Sequence, residues 1–173
     1  MDIKYYIEPV FKIEAFKIEC PDFKRKKKEM EKALKSFPET RNRNFFSNRD
    51  TADIRLPLQN IFRDEFKLIS DKYASKISLA NAWSVTYKKG DHHLPHNHGS
   101  AGYAAILYLS MHKNHPLTIY LQPWNNERDK SVLFKPPAKE GDIVIVPRFI
   151  IHHTEPNTIS TPKRIVGFDF DLI

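Results

Sequence analysis

The chain has almost no cysteine, no long apolar run and no excess of acid. A single cysteine, Cys20, excludes an internal disulfide and fits a reducing compartment. No apolar stretch approaches the ~20 residues a membrane-spanning helix needs. The opening residues Met1-Asp2-Ile3-Lys4-Tyr5-Tyr6 lack the apolar core of a signal peptide. A soluble, cytoplasmic protein is therefore expected. Internal repeats and low-complexity linkers are also missing. The 173 residues fit one domain over 1–173, with 1–77 an N-terminal strand and helical extension packed on a core of 78–173. Bases outnumber acids, giving a formal charge of +7 and a pI near 9.4. That balance permits a nucleic acid or an anionic substrate without demanding one. Much of the excess lies in one run, Lys24-Arg25-Lys26-Lys27-Lys28.

Hydrophobic residues make up 40% of the chain, enough for a core, and their spacing divides it. Val10, Phe11, Ile13, Phe16 and Ile18 alternate among Lys and Glu, as in a strand or hairpin. Asp22 can cap a helix running to about Phe37, with an apolar stripe of Phe23, Met30, Leu34 and Phe37 and the lysine run on its solvated side. The polar stretch from Pro38 to Asp53 predicts a loop. A second helix fits Pro57 to about Ser75, where Leu58, Ile61, Phe62, Phe66, Ile69 and Tyr73 recur at i, i+3, i+4 and Pro57 suits the first turn. Thereafter β-branched and aromatic segments alternate with turn clusters. Ser78–Lys88, Ala101–Ser110, Leu117–Gln122, Ser131–Phe134, Asp142–Pro147, Phe149–Thr154 and Arg164–Leu172 all predict strands. Many short strands so spaced predict a mainly β (α+β) fold, an antiparallel sandwich or barrel with two helices buttressing one face.

The chemistry concentrates in histidines. His96-Asn97-His98 places two imidazoles at i and i+2, which on a strand share a side and converge on one ion. His152 ends the apolar run Ile143 to Ile151, where a histidine must find a hydrogen-bond partner or a metal. Imidazole suits iron, zinc, copper or nickel. The plainer alternatives are surface polarity for the pair and a satisfied core histidine for His152. The late Arg164 is a candidate pocket cation or a surface arginine of the Thr161-Pro162-Lys163-Arg164 turn.

Gly90, five residues, then His96-x-His98, and Gly141, five residues, Pro147, then His152 resemble the two cupin motifs. The glutamate that cupins carry after His-x-His is missing from Gly99-Ser100-Ala101-Gly102-Tyr103, and Phe149 stands where a glycine is expected. A fuller resemblance is to the iron(II)/2-oxoglutarate-dependent oxygenases, in particular a branch found in bacteria and phages. It rests on Trp83, Gly90, His96-Asn97-His98, the aromatic strand Tyr103 to Tyr108, Gly141-Asp142-Ile143-Val144-Ile145-Val146-Pro147, His152, Pro156 and Arg164-Ile165-Val166-Gly167-Phe168. These span about residues 79–172.

The resemblance implies a double-stranded β-helix (jelly roll). It implies Fe(II) held by His96, His98 and His152, with 2-oxoglutarate and O2 as co-substrates. The activity implied is a dioxygenase, a hydroxylase releasing succinate and CO2. His98 departs from the family, which usually has Asp or Glu there. His153 competes with His152 but should face the other way. In the family an arginine at the place of Arg164 grips the distal carboxylate of 2-oxoglutarate. Tyr108 and Tyr120 are candidates to add a hydroxyl to the same carboxylate. Peptidyl side chains, nucleobases and small molecules all fit as substrate. Gln122-Pro123-Trp124-Asn125-Asn126-Glu127-Arg128 is a candidate substrate loop, and the Phe37–Asp53 stretch with Arg41, Arg43, Phe45 and Phe46 a candidate cover for the pocket mouth. Two other classes stay in view. One is a cupin-type metal-binding protein using no 2-oxoglutarate. The other is a nucleic-acid-binding module on the same scaffold, with Phe45-Phe46 and Trp124 as exposed aromatics and salt-sensitive affinity as its signature.

Overall fold

In the computed structural model the described residues are 13–37, 39–42, 47–50, 53–122 and 132–173. Val10, Phe11, Arg43, Phe45, Phe46 and the 123–128 stretch with Trp124 lie outside them.

Two antiparallel sheets form the body. The larger takes β1 (Phe16–Glu19), β2 (Glu39–Asn42), β3 (Ser47–Asp50), β4 (Ile77–Tyr87), β6 (Tyr103–Ser110), β9 (Asp142–Pro147) and β11 (Lys163–Leu172), in the order β1-β9-β6-β11-β4-β3-β2. The smaller takes β5 (His93–His96), β7 (Thr118–Gln122), β8 (Val132–Phe134) and β10 (His152–Thr154), in the order β5-β10-β7-β8. All pairings are antiparallel. Seven expected strands form with small shifts at their ends, except that Phe149–Thr154 shortens to His152–Thr154, with a turn before it. The expected loop at Pro38–Asp53 instead supplies β2 and β3, and β3 extends the sheet through Asn48 and Arg49 opposite Thr86 and Val85. Gly90, at φ 86, turns β4 into β5 in a conformation open to glycine at little cost.

The large sheet separates two cores, because alternate residues of a strand face opposite sides. Val166, Phe168 and Phe170 join Leu107, Ile143 and Ile145 under the helices. Ile165, Val85, Tyr87, Ile106, Tyr108, Val144, Val146 and Tyr120 form the second core, between the sheets.

The helix face is covered by α1 (Phe23–Leu34), α2 (Arg55–Ile61) and α3 (Arg63–Tyr73). The expected second helix breaks in two at Phe62, which leaves helical geometry at φ −106, ψ 30 while staying fully buried. Asp22 precedes α1 in a left-handed conformation with no side-chain capping bond, so it does not cap as expected. The lysine run is not wholly solvated either. Lys26 is buried and holds both oxygens of the buried Glu65 on α3, at 2.7 and 2.8 Å, joining two helices by an ion pair. No described helix is long and apolar enough to cross a membrane.

Breaking this pair strands a charge. Lys26→Met should cost about 3–5 kcal/mol in denaturant unfolding, and Lys26→Met with Glu65→Leu should recover most of it. A single variant as stable as the parent would show that the pair contributes nothing.

Candidate metal centre

Three imidazoles cluster where β5 and β10 pair in the smaller sheet. His152 starts β10 and lies directly opposite His96, the last residue of β5. His98 lies just past β5, its backbone N–H donating to Arg148 O at 3.0 Å. Ring centroids are 4.5 Å apart for His96–His152, 5.0 Å for His98–His152 and 5.3 Å for His96–His98. One ligand-capable atom from each lies within 4.8 Å of the others. The expected shared strand side for His96 and His98 is realised differently, since β5 ends at His96 and His98 lies in the irregular segment after it.

Each ring is oriented by its second nitrogen. His96 Nδ1–H donates to Leu94 O at 2.7 Å, His152 Nδ1–H to Ile150 O at 3.0 Å and His98 Nδ1–H to an Asp169 carboxylate oxygen at 2.6 Å. A proton on Nδ1 leaves the Nε2 lone pair as the coordinating atom, the arrangement metal-binding histidines use. Burial, the largest cause, pushes the His152 pKa down to about 3. That ring is neutral near pH 7 and has no proton to lose before it ligates. His153 sits opposite Ile119 on the alternate face, outside the cluster. Trp83 packs its ring 5.2 Å from that of His98. Gly167 makes room for it: a Cβ there would meet the Trp83 indole at 2.6–2.8 Å.

The cation of the interior is Lys163, a residue the sequence analysis did not single out. On β11, Lys163, Ile165, Gly167 and Asp169 stand opposite Tyr87, Val85, Trp83 and Asn81. Ile165 and Val85 lie in the inter-sheet core, and Asp169 reaches His98. Lys163 is fully buried, its Nζ 4.8 Å from the centre of the Tyr87 ring and 5.6 Å from that of Tyr108. It donates to a carbonyl, Pro116 O, at 2.6 Å. Burial pulls its pKa down to about 7.

Arg164, expected to point into the pocket, lies one residue on and faces the opposite side. It stands opposite Thr86 and binds Glu39, the same carboxylate that Thr86 engages. One step along a strand reverses the face. Tyr108 and Tyr120 are both interior. The Tyr108 hydroxyl accepts from Thr118 N–H at 3.2 Å. The Tyr120 hydroxyl is buried with no hydrogen-bond partner among the described residues, and its ring lies 5.6 Å from that of His152. Burial raises the pKa of both phenols.

No protein-family model and no curated protein matches the sequence. Solved structures do match. The non-heme alpha-ketoglutarate-dependent epimerase SnoN from nogalamycin biosynthesis superposes with a TM-score of 0.70 at 11% identity, over 91% of this chain and 77% of that one. The viral collagen prolyl hydroxylase of Paramecium Bursaria Chlorella virus-1, solved with 2-oxoglutarate, gives 0.60 at 16% identity, over 90% and 94%. HygX from Streptomyces hygroscopicus, solved with nickel, 2-oxoglutarate and hygromycin B, gives 0.65 at 14% identity, over 90% and 82%. At these identities the likeness is one of fold: the chain has the double-stranded β-helix of the 2-oxoglutarate/Fe(II) oxygenases.

Proposed function

We propose that this protein is an Fe(II)- and 2-oxoglutarate-dependent oxygenase, and that its reaction is a hydroxylation. The observation that carries the reading is the convergence of three Nδ1-anchored imidazoles in a fold whose inter-sheet core also buries a lysine that, among the described residues, has no carboxylate bonded to it. The likeness to the epimerase, the prolyl hydroxylase and HygX supports it.

The donor set fits the ion. Three imidazoles, His96, His98 and His152, suit a divalent first-row metal and leave coordination positions for a chelating co-substrate. When bound, iron(II) with 2-oxoglutarate and O2 supplies the oxidising power to hydroxylate a C–H bond, giving succinate and CO2.

The chain's own residues position the co-substrate. The Tyr120 hydroxyl is a buried donor without a partner among the described residues, which costs ~1–3 kcal/mol, and Lys163 spends one of its three donors on Pro116 O. A dicarboxylate satisfies both groups: Lys163 takes the distal carboxylate by a charge-assisted bond, and the Tyr120 hydroxyl donates to it. Tyr108 accepts at its oxygen from Thr118 N–H and keeps its own proton to donate. Arg164 is engaged by Glu39 on the far face, so we assign the clamp to Lys163. The tyrosine rings and Ile165 exclude water around it.

The carboxylate also explains how a lysine with a pKa near 7 is tolerated. Folding favours its neutral form, so between about pH 7 and its unfolded value near 10.5 the unfolded chain holds the extra proton. Over that window Lys163 makes stability rise with pH, and its destabilisation is greatest below it. Bound dicarboxylate reverses the preference and raises the pKa.

Anaerobic titration of the iron(II)-loaded protein with 2-oxoglutarate should give a saturable weak visible charge-transfer band. Metal bound with no band would sink the co-substrate assignment. His152→Ala should lose most bound metal and His153→Ala should keep it; equal loss would overturn the ligand choice. Lys163→Met should weaken 2-oxoglutarate binding by about tenfold or more at unchanged metal content, whereas Arg164→Met should leave it near the parent value; the reverse result would restore Arg164 as the clamp. At saturating metal, 2-oxoglutarate affinity should fall above pH 7 by up to about tenfold per unit. That slope should vanish in Lys163→Met, and a flat profile in the parent would contradict proton uptake at Lys163.

A further inference from the structure

We propose that Asp169 is a positioning residue of the metal centre: through His98 it supplies the negative charge that this all-imidazole ligand set lacks. The inference rests on the metal reading above and goes beyond its ligand list.

The three rings are not anchored alike. His96 and His152 each donate to the carbonyl two residues before them, Leu94 O and Ile150 O. These are local and neutral contacts, set by the strands on which the rings sit. His98 donates instead to a carboxylate 71 residues further along the chain, at 2.6 Å. Asp169 is nearly buried, at 6% exposure, in the middle of β11 between Asn81 of β4 and Ala104 of β6. A carbonyl would satisfy an imidazole N–H. Burying a carboxylate costs far more desolvation and requires a compensating charge. A dication on the Nε2 side of His98 is that charge.

His98 also needs the anchor more than its partners do. It lies outside β5, and its backbone is fixed through Arg148 O. Trp83 presses on its ring, in space that Gly167 leaves open. The Asp169 bond fixes the remaining freedom, rotation of the ring, with Nε2 towards His96 and His152. The bond is short and charge-assisted, which makes the imidazole a stronger donor to a metal.

The test is Asp169→Asn, which keeps an oxygen to accept the His98 N–H and removes the charge. Cobalt(II) is the probe, titrated anaerobically and read from its visible d–d bands. The expected result is a loss of about 10–100-fold in affinity with changed band intensities. In a His98→Ala background the same substitution should cost nothing further, because Asp169 acts through His98. Parent-like affinity in Asp169→Asn would overturn the proposal, as would an equal loss in both backgrounds, which marks a structural role. If the unaltered protein bound no cobalt(II) or iron(II) at all, the metal reading would fall and this inference with it. Binding by the parent with no effect of Asp169→Asn would sink this inference alone.

Discussion

The period of two along β11 is the constraint on which the rest depends. From Lys163 to Asp169 the odd residues face the space between the sheets and the even ones face the helices. The even set, Val166, Phe168 and Phe170, buries against α1–α3 and fixes the register, since a one-residue slip would push three large apolar side chains into the interior. Holding that register delivers Lys163, Ile165, Gly167 and Asp169 to the inside together. The helix layer therefore places a buried cation, a gap for Trp83 and a carboxylate behind His98, although it lies across the sheet from all three. The Lys26–Glu65 pair, which joins α1 to α3, belongs to the same device.

Among the described residues the buried side-chain atoms without a partner are the Tyr120 hydroxyl, Asp142 Oδ1, Arg148 Nη2 and Arg164 Nε, so both faces of the large sheet carry one. Under the helices the buried charges Lys26 and Glu65 are mutually paired. Between the sheets Lys163 has a carbonyl for its partner and the Tyr120 hydroxyl has none. Natural folds concentrate such costs at functional sites. On the proposed reading the Tyr120 hydroxyl and Lys163, on the same side of the sheet as the three imidazoles, are the groups a bound dicarboxylate would meet.

Local spacing made much of this legible in the sequence. His96, His98 and His152 were readable because the His-x-His pair, the Gly141–Pro147 frame and the apolar run before His152 are local patterns. The strands were readable from their alternation. What was not legible depended on parity and on distant contacts. Arg164 and Lys163 are neighbours, and a motif that locates the end of a strand does not say which of two adjacent residues turns inward. The signal was the apolar series Val166, Phe168, Phe170, which marks the even face and so sends Lys163 inside. Lys26 stands at i+3 from Phe23 and i−4 from Met30, a gap in the apolar stripe that a lysine fills only when an acid meets it. That acid, Glu65, is on another helix. The break at Phe62 left no trace, because the periodic pattern continues through it. Strands β2 and β3 are made of polar residues, organised by pairing with the edge of β4 and by the bonds of Glu39 to Thr86 and Arg164.

Asp169 was hidden for a different reason. In Phe168-Asp169-Phe170-Asp171 the two acids look equivalent, yet the first is nearly buried and the second is paired with Arg148 at a far more exposed position. Only the arrival of His98 from a loop 71 residues earlier distinguishes them. The consequence reaches the ligand set itself. A carboxylate bound directly to an ion cancels part of its charge and occupies a position as an anionic donor. An imidazole backed by a carboxylate keeps the donor neutral and holds the compensating charge one hydrogen-bonded ring away. The ion then keeps more of its attraction for an incoming anion. On the proposed reading Lys163, buried on the same side of the sheet, would attract the other end of that anion. If a metal ion sits at the imidazoles and Lys163 is protonated, two separated positive centres inside one low-dielectric core would suit a ligand with two separated negative groups, because a monoanion leaves one of them unmet. On that reading β11, which carries both Lys163 and Asp169, is the strand that would set a preference for a dicarboxylate over a simple carboxylate.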